Sequence, residues 1–228
     1  MRITILGLGE IGTANKAHFE SQGHIVTPYD PPKGLTELAQ ADLYVICTPS
    51  HIIEKSIDTI LAFDRNPTIS IESTIIDFGL TDRLSERVPR LCYCPQRYWA
   101  ADPEHRGVVR FRLLASPTTL LHFKDLYWKQ LGIRTLPVSP IVAEYAKVTE
   151  NAYRALQIAF AQELKLKTGR HFEQVRHAVM TADNMHYLPE ARAGIGGHCL
   201  PLAMDTLKDL PLIAQAILSN ENYKTESE

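Results

Sequence analysis

Arg2-Ile3-Thr4-Ile5-Leu6-Gly7-Leu8-Gly9-Glu10-Ile11-Gly12 opens the chain with a short β-rich run, a GxGxxG turn and the start of a helix-like stretch. Each glycine has a physical task. The first permits the tight turn, the second lets the backbone approach a pyrophosphate, and the third allows close helix–strand packing. The helix N-terminus behind them presents unpaired N–H groups and a partial positive charge to an anion. Glu10 and Ile11 complete the turn. Asp30 closes the next strand-like run, His24 to Tyr29, near the ~20-residue offset at which an acid meets ribose hydroxyls. An acid there repels a 2′-phosphate, so the expected dinucleotide is NAD and not NADP.

Outward from that turn the first half alternates strand and helix. Leu43 to Cys47 and Thr68 to Ile71 are short apolar runs of the kind buried parallel strands use, with a helix from Ser50 to Ala62 between them. Leu91 to Cys94, Phe111 to Ala115 and Ile133 to Pro137 are further strands, and Thr118 to Leu131 a helix. The alternation predicts an α/β class, a Rossmann-like doubly wound parallel sheet. After Pro140 the character changes. Ile141 to Lys167 contains neither Pro nor Gly and is rich in Ala, Glu, Leu and Lys, which predicts one helix about 40 Å long at 1.5 Å per residue. Gly169 stops it. A helix over Phe172 to Thr181, a glycine-rich loop around Gly194 to Gly197, a last helix over Leu202 to Leu218 and a frayed tail from Asn220 follow. The sheet is thus followed by a small all-α domain with one long central helix. The expected organisation is an NAD-binding domain over 1–138 and a helical catalytic and dimerisation domain over 139–228.

Composition narrows the function classes. Lys and Arg number 24 against 26 Asp and Glu, a net charge of −2, so bulk charge argues for neither a nucleic-acid nor a membrane partner. No apolar run approaches the ~20 residues that span a bilayer, and Met1-Arg2 leads straight into the first strand. The four cysteines, Cys47, Cys92, Cys94 and Cys199, fit no disulfide framework and no zinc spacing, so the expectation is reduced thiols, a cytoplasmic location and no metal.

Two segments carry the chemistry. On the long helix Lys147 and Asn151 are four apart and share a face, with Glu144 three before the lysine. In Gly194-Ile195-Gly196-Gly197-His198-Cys199-Leu200-Pro201, glycines let backbone pass close to a substrate just before a thiol. A helix starting after Pro201 and the Lys147 ammonium would lower that thiol's pKa. The plainer readings are a solvated charged stripe and a small buried cysteine.

With GLGEIG (7–12), ADLYVICTPS (41–50), ISIESTI (69–75), YCPQR (93–97), AEYAKVTENAYRALQIAFAQEL (143–164) and GIGGHCLP (194–201), the sequence resembles the nucleotide-sugar 6-dehydrogenases, the group of UDP-glucose, UDP-N-acetylmannosamine and GDP-mannose dehydrogenases. The last two segments are the specific ones. The resemblance implies NAD-dependent oxidation of a primary alcohol to a carboxylate, with two NAD per turnover. Cys199 would be the nucleophile, and Lys147 with Asn151 would stabilise the oxyanion. Thr74 would hold water or substrate, and Thr48, Pro49 and Thr74 would join the cofactor site. It also implies a homodimer through the 141–167 helix.

Three departures from the family pattern matter. Gln96 stands where the family usually has glutamate, and an amide is no general base. Ala203 stands where the family has an aspartate four residues after its cysteine; the nearest acid, Asp205, is turned by about 200° in a regular helix. Family members also continue into a further α/β domain for the nucleotide, whereas this sequence stops at Glu228. Either another polypeptide supplies that surface or the substrate is smaller, and the expected substrate is a small polar or anionic alcohol, such as a hydroxy acid, phosphonate or sugar derivative. Arg97, Arg106, Arg110, Arg112 and Arg192 are candidates for an anion clamp. Two alternatives remain open: a two-electron enzyme resembling the β-hydroxyacid dehydrogenases, and a non-catalytic NAD-binding module.

Overall fold

The computed structural model describes residues 1–97, 111–184 and 187–227. It divides into two compact units, Met1–Lys147 and Val148–Glu228.

In the first unit, β1 (Arg2–Leu6), β2 (Ile25–Tyr29), β3 (Leu43–Ile46), β4 (Ile69–Ile71) and β5 (Leu91–Tyr93) form one parallel sheet in the order β2-β1-β3-β4-β5. Side chains alternate across it and make two cores. Tyr44, Ile46, Ile69 and Ile71 point to the face where α2 (Ile53–Phe63) packs with Ile53, Ile57 and Ile60. Ile3, Ile5, Leu43 and Val45 point to the other, against Phe19 of α1 (Glu10–Ser21) and Phe123 of α4 (Leu120–Asp125). Both faces are covered, as in a doubly wound α/β fold. Pro28 is tolerated because β2 is an edge strand. The short parallel pair β6 (Phe111–Leu114) and β7 (Arg134–Pro137) joins through the Tyr93–Ala115 bridge.

Three sequence expectations are corrected in this unit and the next. The helix expected over 118–131 is α4 followed by a π-helical turn, Leu126–Gln130. A short helix, α3 (Leu80–Ser85), was not foreseen. The single helix expected over 202–218 is two, α7 (Cys199–Thr206) and α8 (Pro211–Ser227), because a proline disfavours helical backbone in the residue before it. The expected frayed tail is therefore the second half of α8.

The long helix α5 (Pro140–Thr168) spans the expected range and ends at Gly169, which has φ +53°. In the second unit α6 (Phe172–Val179) follows, and Phe172, Ala161, Ala191 and Tyr223 form its core cluster. No helix among the described residues is long and apolar enough to cross a membrane.

Candidate active site

The chain leaves β1 toward β2 on one side and returns to β3 on the other, so the crevice between the ends of β1 and β3 is the topological switch point where such sheets bind ligands. The glycine turn lies there. Gly12 packs so tightly that a Cβ on it would stand 1.9 Å from the Gly7 carbonyl oxygen, while a Cβ on Gly9 would meet nothing within 4 Å. One glycine closes the turn and the other leaves room above it. Gly9 is also the N-cap of α1 and offers no side-chain cap, which leaves first-turn amides for an outside acceptor. Glu10 and Ile11 form the first turn of that helix. Across the crevice, Gly7 abuts Thr48, whose hydroxyl lies 3.2 Å from that of Ser56, and Pro49 is exposed beside it.

Asp30 Oδ2 accepts the Leu8 N–H at 2.8 Å, so the second strand's acid is tied to the turn itself. Lys33 Nζ donates to the Leu8 carbonyl from the same side. These residues fit a dinucleotide: a cradle with open space, free helix amides, and a half-buried acid for the ribose.

Beneath the crevice lies a polar cluster that sequence reading missed. Glu72, at the end of β4, is fully buried and takes Arg112 from β6 in an ion pair with both side chains at 0% exposure. Asn15 of α1 donates to Glu72 Oε2 at 2.6 Å, and the Tyr127 hydroxyl, from the π-helical turn, donates to Oε1 at 2.6 Å. Gln96 Nε2 donates to Asn15 Oδ1 at 3.0 Å. Burial, the largest single influence, lowers the Arg112 pKa, but the surrounding groups, the Glu72 carboxylate foremost, together raise it above its ordinary value. Arg112 is consequently engaged inside the fold and is no clamp for a ligand anion. Gln96 fills its position as a hydrogen-bonding strut. The available signal was an asparagine amid the apolar positions of α1 and an acid ending a buried strand.

Next to Glu72, Ser73 Oγ is buried without a partner and Thr74 is half-buried. Glu144 belongs elsewhere: its carboxylate accepts the N–H groups of Gly79 and Thr81 and the Thr81 hydroxyl, capping α3. Lys147 and Asn151, farther along α5, are each more than nine-tenths buried, and Asn151 Nδ2 has no hydrogen-bond partner.

In the second unit Cys199 is exposed and starts α7, with His198 as N-cap. The helix thus begins at the cysteine and not after Pro201. Proline is accommodated in a first turn, where its missing N–H has no acceptor to lose. α7 is regular, which leaves Ala203 buried and Asp205 in an exposed pair with Lys208 at 2.9 Å. Arg192 is exposed, is the one non-glycine residue at positive φ among the described residues, and lines an open groove of about 710 Å³ with Lys165 and Tyr223. Arg97 is half-buried; Arg106 and Arg110 lie outside the described residues.

Known proteins resemble the chain in sequence and in fold. Residues 141–218 match the central domain of the UDP-glucose/GDP-mannose dehydrogenase family. The UDP-N-acetyl-D-mannosamine dehydrogenase of Pyrococcus horikoshii is 24% identical over 97% of this chain and 68% of its own length. The NDP-N-acetyl-D-galactosaminuronic acid dehydrogenase of Ralstonia solanacearum is 26% identical over 79% of this chain and 48% of its own. The solved structure of the Pyrococcus enzyme superposes with a TM-score of 0.81 at 22% identity, covering 98% of this chain and 69% of that one. A Mycobacterium tuberculosis 3-hydroxyisobutyrate dehydrogenase superposes with a TM-score of 0.74 at 17% identity, covering 99% and 93%. The chain shares the fold of these structures, and over residues 141–218 it is similar to the central domain of the UDP-glucose/GDP-mannose dehydrogenase family.

Proposed function

We propose that the chain is an NAD-dependent dehydrogenase that oxidises a primary alcohol to a carboxylate through a covalent intermediate on Cys199. One observation carries the reading: of four cysteines, Cys47, Cys92 and Cys94 are buried and Cys199 alone is exposed, at the end of the glycine loop. The first half, over 1–138, holds NAD through Gly7, Gly9, Glu10, Ile11, Gly12, Asp30, Thr48, Pro49 and Thr74. The second, over 139–228, supplies the chemistry and the dimer contact.

NAD supplies a hydride acceptor for each two-electron step. The alcohol gives up a hydride and its hydroxyl proton and becomes an aldehyde. Cys199 adds through sulfur to the carbonyl carbon, forming a C–S bond and, once protonated, a thiohemiacetal hydroxyl. Loss of a second hydride and that hydroxyl proton leaves a thioester. Water then adds to the thioester carbon, the C–S bond breaks, and carboxylate and thiol are released. Lys147 and the unpartnered Asn151 amide stabilise the tetrahedral oxygen, where a dry, preorganised donor is most effective. Thr74 holds the water or the substrate. Asp205 contributes only through solvent, given its exposed pairing with Lys208.

The substrate we favour is a small polar or anionic alcohol. In its support, the protein whose fold matches this chain over 93% of its length bears the name of a small hydroxy acid. NADH formation should be followed over serine, 3-hydroxyisobutyrate, a hydroxyalkylphosphonate and UDP-N-acetylmannosamine. The reading expects two NADH per alcohol and, in Cys199→Ser, aldehyde without acid. Full acid formation by that variant would sink the covalent scheme. One NADH per alcohol with no loss in the variant would instead support the two-electron alternative. NAD binding without turnover of any alcohol would support the non-catalytic module.

A further inference from the structure

The loop that leads to Cys199 is held from the last helix. Asn220, on α8, points its Oδ1 at the Ile195 backbone N–H, which donates to it at 2.7 Å, and Gln162 of α5 donates its Nε2 to the same oxygen at 3.3 Å. All three residues are buried. One helical turn on from Asn220, Lys224 passes so close to Gly194 that a Cβ there would lie 2.6 Å from Lys224 Cε. Between these two, Tyr223 is buried with Phe172, Ala161 and Ala191 and sets where α8 lies.

The rest of the loop has few such anchors. Gly196 and Gly197 are exposed, and Cβ atoms on either would meet nothing within 4 Å. Glycine carries more backbone freedom than any other residue, so a GIGG run drifts unless one of its peptide groups is tied down. Ile195 is that residue. Its side chain is buried, and its amide is bonded to Asn220, four residues before the thiol.

We propose that Asn220 is a positioning residue for Cys199: by accepting the Ile195 N–H it fixes the glycine loop and so presents the sulfur in one place for addition to a carbonyl. The proposal rests on the reading of Cys199 as nucleophile. It assigns to α8 a part in the reaction that no residue of the helix shows from its own chemistry.

Two substitutions separate positioning from bulk stability. Asn220→Asp keeps an oxygen acceptor for Ile195 and Gln162, whereas Asn220→Leu keeps the size and removes the acceptor. In Asn220→Leu, amide hydrogen exchange at Ile195 should rise about tenfold, the worth of one net hydrogen bond, while exchange at Ile158 in the α5 core stays as in wild type. Alkylation of Cys199 by iodoacetamide, which needs no substrate, should rise because the freed loop meets the reagent from more directions. Acid formation from the most active alcohol of the panel above should fall by up to about 100-fold in kcat, with KM for alcohol and NAD within about twofold. Asn220→Asp should restore all three. If Asn220→Leu does not fold, Gln162→Met removes only the second bond to the Asn220 oxygen and should shift the same readouts by a smaller factor.

Faster Ile195 exchange with unchanged alkylation and unchanged kcat would overturn the proposal and leave Asn220 a purely structural residue. Equal damage from Asp and Leu would also overturn it, since the acceptor would then not be the cause. These outcomes are distinguishable from failure of the underlying reading. Acid formation by Cys199→Ser at the wild-type rate removes the nucleophile whatever Asn220 does. A dead Cys199→Ser beside a fully active Asn220→Leu removes only the present inference.

Discussion

Burial holds the Cys47, Cys92 and Cys94 thiols above the usual thiol range, Cys94 up to about 12, while Cys199 stands in solvent. Since the thiolate is the reacting form, the three buried groups stay protonated and shielded near neutrality. Iodoacetamide at about pH 8 should therefore label one thiol per native chain and four after denaturation, read by mass spectrometry; labelling of Cys94 in folded protein would contradict the packing. The Glu72–Arg112 pair makes a second residue-scale prediction. Removing one partner strands a buried charge, so Glu72→Leu should lower stability by about 3–5 kcal/mol in urea titration. Replacing both, as Glu72→Leu with Arg112→Met, should recover much of that. A single variant costing under about 1 kcal/mol would mean that the pair is solvated.

At the scale of elements, two glycines of one turn should behave oppositely. Gly12→Ala forces a methyl group against the Gly7 carbonyl and should unfold the first unit or lower its Tm steeply. Gly9→Ala meets no atom, so the fold should survive while NAD affinity, measured by calorimetry, falls, because the methyl group occupies the space meant for the pyrophosphate. Unchanged NAD binding in Gly9→Ala would place the cofactor elsewhere. Glu144 ties α5 to α3, and Glu144→Ala, which leaves two amides and a hydroxyl without an acceptor, should cost about 1–3 kcal/mol. The start of α1, the length of α5 and the first four strands were all legible from periodicity and from Gly and Pro punctuation. α3 was not, since its cap comes from Glu144, 65 residues beyond Gly79. The break between α7 and α8 is legible in Leu210-Pro211, since a proline disfavours helical backbone in the residue before it.

For the whole molecule, α5 leaves Val142, Tyr145, Tyr153 and Phe160 exposed, and at 3.6 residues per turn they fall along one side. We propose that this stripe meets its copy in a second chain, an isologous contact that closes a homodimer. Sedimentation at micromolar concentration should show a dimer, and Tyr153→Glu with Phe160→Glu should give a monomer; a monomeric wild type would refute the contact. Stoichiometry belongs to this scale too. Two NADH per alcohol requires that the aldehyde stay bound between hydride transfers, and free aldehyde in a trapping assay would show that it escapes.

By itself the sequence determined the glycine turn, the α/β order of the first half, the long helix and the thiol after the glycine run, because each is written in residues that are neighbours along the chain or one helical turn apart. Only the tertiary structure decided which polar groups are spent on the fold. Arg112 lies among the arginines available for a ligand and is consumed by Glu72; Glu144 lies beside Lys147 and is consumed by α3. Asn220 lies in what reads as a loose tail, yet it accepts the amide of Ile195. A buried polar group must find a partner wherever the chain brings one, and that partner is set by packing between distant segments, which no local pattern encodes.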